Sequence, residues 1–580
     1  MKEASETKVP YQIRQLFAIM LQACQLSNPI SLWNKFRDHM AEDFLNRVRR
    51  ENRDVQVEFS DEIYNQALLD LENKIQEMGG IGLETYGLPK PVRQSEEDLL
   101  AKDIIRELAY DTEELSHYVE HNESLLTSEQ QEAFNKVVRS LEDSAGSIFF
   151  LDAPGGTGKT FITNLLLAKV RKSKNIALAV ASSGIASTLL DGGRTAHATF
   201  KLPLDLARCE TPMCNISKRS AKAKLLQQTK LIVWDEATMS HKHAFEALDR
   251  TLQDLKNNDQ LMGGVTVVLS GDFRQTLPVI PRSTPADEIR ASLKSSYLWN
   301  KIQRISLTTN MRVHLYRDEA AGIFSEQLLQ VGNGDVIEDS NNQITLPFGE
   351  AVKDRSKLID KVFPNLEQHY QQQDWLTERA ILAPKNDVVN KINQIMLMKQ
   401  TGQEKLYKSV DTVVDPNQAT NYPTEFLNSL ELAGMPPHQL KLKVGAPIML
   451  LRNLDPPKLC NGTRLTIKNM MPHLLEATIM NGREQGENVF IPRIPIIPSD
   501  QTIEFKRLQF PVKLSYAMTI NKSQGQSLKV VGLDLSSPVF SHGQLYVGCS
   551  RTGNPRELYY LTTKENNQTK NVVYKEALRN

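Results

Sequence analysis

The stretch Ile148–Phe161, IFFLDAPGGTGKTF, leaves few options for the chain around it. Four apolar residues, Ile148–Leu151, run into Ala153-Pro154-Gly155-Gly156-Thr157-Gly158-Lys159-Thr160, and Leu165, Leu166, Leu167 and Val170 follow on a helical face. A strand, a glycine turn and a helix in that order make a phosphate-binding loop. The glycines let backbone N–H groups turn toward phosphate oxygens, and the helix N-terminus points at the same anion. The motif assigns Lys159 to the β/γ-phosphates of a nucleotide and Thr160 to Mg²⁺, with Gly155, Gly156, Thr157 and Gly158 as the cradle. Ala153 stands where such loops carry their first glycine.

Further short apolar runs predict a buried parallel sheet with its loops at one edge. Ile176–Ala181 ends at Ser182-Ser183-Gly184. Leu231-Ile232-Val233-Trp234 ends at Asp235-Glu236, and Val265–Leu269 ends at Ser270-Gly271-Asp272-Phe273-Arg274-Gln275. Unbroken apolar runs of this length suit strands covered on both faces, and ligands of such sheets bind beyond the strand C-termini. Asp235 is therefore a Mg²⁺ ligand candidate and Glu236 a general base for an attacking water. Gln275 is placed to sense a γ-phosphate. Gln130, in the helix opened by Leu126-Thr127-Ser128, is placed to offer its amide to adenine. Ser183, His197 and Phe200 supply hydroxyl, imidazole and ring chemistry fit for a single nucleic-acid strand. The segment Arg208–Lys230 carries six cations against Glu210, a candidate DNA-facing patch.

The motifs, taken in order, resemble those of superfamily-one helicases: SSGIAS, WDEATM, GDFRQTLPV, LTTNMR, INKSQGQSL and LYVGCSR. They look like the PIF-type 5′-to-3′ DNA helicases. SNPISLWNKF, YPTEFLNSL and KVGAPIMLLRNLDPPKLCNGTRL resemble the helicase portion of Helitron transposon proteins. The resemblance implies an α/β protein with two RecA-like domains, ATP and Mg²⁺ between them, and single-stranded or forked DNA across the top. It implies Arg312 and Arg551 as arginine fingers, Gly525 as a nucleotide contact, and Thr519, Asn521, Lys522 and Ser523 beside His197 and Phe200 on the DNA path. Asn521 stands where PIF-type enzymes commonly carry histidine. The activity implied is ATP-driven unwinding by a monomer acting on nuclear DNA, with mitochondrial DNA as the alternative, and with a separate nuclease or replication factor as partner. A silent nucleic-acid binder and an RNA-directed helicase are the alternatives; the choice of DNA rests on the resemblance alone.

The expected organisation is an N-terminal helical region over 1–122 and a first motor domain over 123–310, with a basic insertion near 201–230. A second motor domain follows over 311–443 and 510–580, interrupted by an SH3-like β-barrel over 444–509. Leu32, Phe36, Met40, Phe44 and Val48 predict an amphipathic N-terminal helix, and Phe510–Ser515 is expected to return to the motor sheet. At 580 residues the chain is too long for one core. With 69 basic and 69 acidic residues, the net charge says nothing about a nucleic-acid partner. Five cysteines suit a reducing compartment, and no apolar run reaches membrane-spanning length.

Two histidine strings remain. His117-Tyr118-Val119-Glu120-His121 fits H-x-x-E-H, but no third ligand accompanies it. His241-Lys242-His243 is the nearest thing to the His pair of a transposon nuclease. It is expected on a helix surface, its rings about 200° apart.

Overall fold

The sequence's apolar runs become strands whose neighbours are not their neighbours in sequence. In the computed structural model, β1 (Ile148–Asp152), β2 (Ile176–Ala181), β3 (Arg194–Thr195), β4 (Thr229–Asp235), β5 (Thr266–Gly271) and β6 (Gln303–Ser306) form a parallel sheet in the order β3-β2-β4-β5-β1-β6. The structure describes all residues except 6–8, 25, 52–57, 79, 81, 93–103, 144–145, 204–205, 207–208, 281–282, 312–318, 416–421, 433, 457, 483, 499–503, 563–566 and 580. Every residue of β2 and β5 is buried, which is why neither strand alternates polar with apolar. The register Val180↔Trp234 and Ala181↔Asp235, with Leu151↔Ser270 and Asp152↔Gly271, brings the ends of β1, β2, β4 and β5 to one edge.

A second parallel sheet runs Ala517–Thr519, Arg379–Ala383, Val530–Leu535, Leu558–Thr562, Glu350–Val352. Both parallel sheets lie in one compact unit, residues 95–365, 377–392 and 517–580. This is the α/β architecture expected from the motifs.

The other unit comprises residues 1–94, 366–376 and 393–516. Its helices Pro10–Ala23, Pro29–Glu51 and Asp61–Glu77 share an apolar core. In the second of these, Trp33, Phe36, Met40, Ala41 and Leu45 are buried, whereas Leu32, Phe44 and Val48 are only partly so. Four residues advance a helix by about 40° beyond a full turn, so a strict fourth-residue stripe drifts off the core face. Arg14 is buried among them and donates to Asp43 and Asp70. The helix Pro10–Ala23 also meets antiparallel strands of the same unit. Gln12 donates to the Asn488 carbonyl at 2.8 Å, and Leu16 packs with Leu474 and Phe490.

Those antiparallel strands begin at Lys405, well before the position 444 read from the sequence, and form ladders of two, three and five strands. Val512–Leu514 belongs to them, pairing with Pro447–Leu450. The return to the parallel sheet therefore comes at Ala517, not in Phe510–Ser515. An apolar strand carries no mark of whether its partner is parallel or antiparallel. No helix among the described residues is long and apolar enough to cross a membrane.

Candidate active site

Ala153 is the last residue of the loop still bonded to the sheet. Its N–H donates to the Gly271 carbonyl at 3.2 Å and its methyl is buried. The loop turns only after it, so alanine serves there as well as glycine. Glycine is obligatory at Gly158, where φ is +81° and a Cβ would lie 2.5 Å from Gln130 Nε2. The helix Lys159–Arg171 starts directly after that turn.

Lys159 Nζ stands 3.1 Å from Asp235 Oδ1 and 3.2 Å from Glu236 Oε1. Burial alone would lower the Lys159 pKa, but the two carboxylates outweigh it and hold the ammonium above the ordinary lysine value. Asp235 Oδ1 also accepts from Ser270 Oγ at 2.7 Å and from the Glu236 N–H at 2.9 Å. Glu236 has left-handed backbone, φ 50° and ψ 40°. For a residue with a Cβ that costs on the order of 1–3 kcal/mol, a strain typical of functional positions. Its second oxygen, Oε2, accepts from Gln524 Nε2 at 3.4 Å. Gln524 follows the second sheet's strand Ala517–Thr519, and its own Oε1 accepts from Thr276 Oγ1 at 2.5 Å. One amide thus joins the carboxylate after β4 to the loop after β5.

A cleft of about 290 Å³ opens here, lined by Lys159, Thr160, Glu236, Gln275, Gly525 and Arg551 among others. The Gln275 side chain is buried, and its Oε1 has no hydrogen-bond partner. A buried acceptor left open at a polar cleft fits a ligand or water that completes it. Arg551 is buried too. Its guanidinium donates to the carbonyls of Val547 and Gln526 and to Ser550 Oγ. Burial lowers its pKa, and Glu236 acts against that. Arg312 lies outside the described residues.

Gln130 is deployed differently from the expectation. Its Oε1 accepts from the Thr127 N–H, closing a capping box, and its Nε2 donates to the Thr157 carbonyl at 3.0 Å. In this structure its amide braces the phosphate loop. The adjacent Glu129 accepts from Thr308 and Thr309, whose hydrogen bonds hold its pKa down at about 2. Met311 N–H donates to the Gly156 carbonyl at 2.9 Å. The LTTNM segment is thereby fastened to the loop.

The residues assigned to the DNA path divide into two groups. His197 is exposed, and Thr519, Asn521 and Lys522 are half-buried. Phe200 is fully buried against Trp234, ring centroids 5.6 Å apart, so it cannot stack on a base. Ser523 is fully buried, its hydroxyl donating to the Ile520 carbonyl. Ser183 caps the short helix that follows it, accepting from the Ala186 N–H at 3.2 Å. A loop sequence does not say which of its side chains turn inward, and these three turn toward their own backbone or core.

The histidine strings also resolve. His241 is the N-cap of the helix Lys242–Lys256, outside its regular turns, and its ring meets that of His243 at 4.5 Å. The expectation of opposite faces fails because a cap residue does not follow the helical rotation. Burial, then the neighbouring His243 and Lys242, push the His241 pKa down to about 4. His117 and His121 lie on the helix Thr112–Glu123. Among the described residues no three His, Cys, Asp or Glu side chains gather as a metal site.

Sequence reasoning missed the ties between the two sheets. Asp272 is fully buried and accepts from the Arg274 side chain at 3.0 Å and from the Tyr546 hydroxyl at 2.8 Å. Arg274 Nε donates onward to Asn333 Oδ1. All of these except Asn333 sit inside the quoted motifs, so their identity was visible but their pairing was not.

Two family models match the chain. Residues 125–342 match the PIF1-like helicase model and residues 425–470 match the DNA helicase Pif1 2B domain. Over these residues the chain is similar to the PIF1-like helicases. It is 27% identical over 438 residues to the ATP-dependent DNA helicase Pif1 of Campylobacter jejuni, covering 72% of this chain and 89% of that one. It is 25% identical to ATP-dependent DNA helicase PIF1 of Danio rerio, spanning 59% of that longer protein. In fold it is similar to a Bacteroides Pif1 helicase in complex with ADP-AlF3 and single-stranded DNA, with a TM-score of 0.56, 23% identity, and coverage of 78% and 95%. The cleft of this chain is lined both by the loop around Lys159 and by residues between Gly525 and Arg551.

Proposed function

We propose that this chain is an ATP-dependent helicase that moves 5′-to-3′ along single-stranded DNA and unwinds the duplex ahead of it. The observation that carries the reading is Glu236, held between Lys159 on one side and Gln524 from the second sheet on the other. A general base that both sheets contact is set to report on their closure.

The residues fit Mg–ATP. Lys159 is ion-paired with both buried carboxylates. When a phosphate draws Lys159 away, those carboxylates require another cation, and Asp235 with the Thr160 hydroxyl supplies hard oxygen ligands for Mg²⁺. Bound Mg–ATP supplies the phosphoanhydride and the neutralised β/γ oxygens. Glu236 takes the proton of the attacking water and Gln275 Oε1 orients that water. Arg551, with Arg312, meets the charge that spreads over the γ-phosphate. For Arg551 this means exchanging its carbonyl partners for phosphate.

His197, Thr519, Asn521 and Lys522 contact the strand. We place the work on nuclear DNA, by a monomer, with a separate nuclease or replication factor supplying any strand cleavage. The test compares ATP hydrolysis with DNA and RNA oligomers, then unwinding of duplexes with 5′ or 3′ single-stranded tails. Stimulation by DNA and unwinding from the 5′ tail are expected. Equal stimulation by RNA, or better unwinding from a 3′ tail, rejects the reading.

A further inference from the structure

Phe540 is the most exposed aromatic side chain among the described residues, at 59%. A single exposed apolar side chain is ordinary on a protein surface. This one stands on a backbone bonded or packed on both sides. Val539 before it is buried. The Phe540 N–H donates to Gln544 Oε1 at 3.0 Å. Beyond it, His542 is buried and bonded to the Phe273 carbonyl at 2.7 Å. Gly543, with φ +71°, comes so close to Arg274 that a Cβ would lie 2.3 Å from its carbonyl oxygen. The ring is therefore presented outward from a segment fixed on both sides.

The same Gln544 amide reaches the proposed strand path. Gln544 is fully buried, and its Nε2 donates to Asn521 Oδ1 at 2.9 Å. One buried side chain thus sets the Phe540 segment against the segment bearing Thr519, Asn521 and Lys522. Those segments follow the strands Val530–Leu535 and Ala517–Thr519, which flank Arg379–Ala383 in the parallel sheet. An outward aromatic ring, linked through a buried amide to a segment that carries Asn521 and Lys522, is the chemistry of a single-strand site. The cation attracts phosphate, and the ring takes the π-face of any base.

We propose that one unpaired base of the bound strand stacks on Phe540, and that Gln544 is the positioning residue that keeps the ring in register with Asn521. The inference rests on the helicase reading. Because Gly543 and His542 touch the loop that carries Arg274 and Gln275, the stacked base sits on a segment in direct contact with the nucleotide-facing loop of the first sheet.

The test measures binding of fluorescent oligo-dT by anisotropy for the full chain and for Phe540→Ala and Phe540→Trp, with thermal melting as the folding control. Stacking on one ring predicts roughly tenfold weaker binding for Phe540→Ala and recovery in Phe540→Trp. Oligomers with one abasic site at successive positions give a second readout. The wild type should show one position where base removal weakens binding about tenfold, and Phe540→Ala should be insensitive at that position. Phe540→Ala within twofold of a wild type that binds and responds to DNA overturns this inference alone. A wild type that neither binds nor is stimulated by any oligomer overturns the helicase reading, and this inference with it.

Discussion

The Tyr546 hydroxyl donates to Asp272 Oδ2 at 2.8 Å, and both residues are buried. Asp272 follows β5 of the first sheet, and Tyr546 lies on the helix Gln544–Cys549 packed beside the second. Burial and the Asp272 charge raise the tyrosine pKa well above its ordinary value, so the phenol remains a donor. Tyr546→Phe keeps the ring but leaves a buried carboxylate oxygen without that donor. The expected cost is about 1–3 kcal/mol, seen as a lowered melting temperature, together with a reduced DNA-stimulated turnover. An unchanged melt would mean that the two sheets do not depend on this bond.

Lys159→Ala should abolish ATP hydrolysis while single-strand binding persists, because the residues proposed to contact the strand lie on other loops. The geometry adds a second outcome. Without the ammonium, Asp235 and Glu236 face the cleft with no lysine between them, so the nucleotide-free variant should melt at a lower temperature than wild type. Added Mg²⁺ should recover part of that loss, and more than it adds to the wild type. Thermal melting with and without Mg²⁺ measures this independently of turnover.

Glu236→Gln keeps the size of the side chain and removes its capacity to accept a proton. Nucleotide binding, followed with a fluorescent ATP analogue, should be retained. Turnover should fall by roughly 10²–10⁴. A variant within threefold of wild type would remove Glu236 from the mechanism.

Glu129 provides a pH-dependent contribution whose sign is fixed. Hydrogen bonds from Thr308 and Thr309 depress its pKa from the ordinary 4.5 to about 2. A depressed carboxylate stabilises the fold fully above its unfolded pKa and loses that stabilisation as pH falls toward the folded value. Glu129→Gln should therefore be less stable than wild type near neutral pH, by about 1 kcal/mol for this partly exposed group. The gap should narrow from about pH 4.5 down to about 2. Denaturant melts of both proteins across that range are the check, and a gap independent of pH would count against the carboxylate.

The sequence by itself determined where the candidate nucleotide site lies. The loop around Lys159 and the Asp235-Glu236 pair are short-range patterns. A strand running into a glycine turn or a carboxylate pair fixes the local geometry whatever surrounds it. The apolar runs ending at Ser182, Asp235 and Ser270 likewise marked the first parallel sheet, whereas the second was expected from the family resemblance alone. Tertiary structure alone decided which loop side chains face outward. Phe200 and Ser523 are polar-loop or aromatic residues by sequence, yet both are buried, because the neighbouring Trp234 and the Ile520 carbonyl lie where the loops fold back. The partners that tie one parallel sheet to the other were also decided there. Gln524 reaches Glu236 across 288 positions and Tyr546 reaches Asp272 across 274. A hydrogen bond between residues so far apart follows from how two sheets pack, and no periodicity within either segment encodes it.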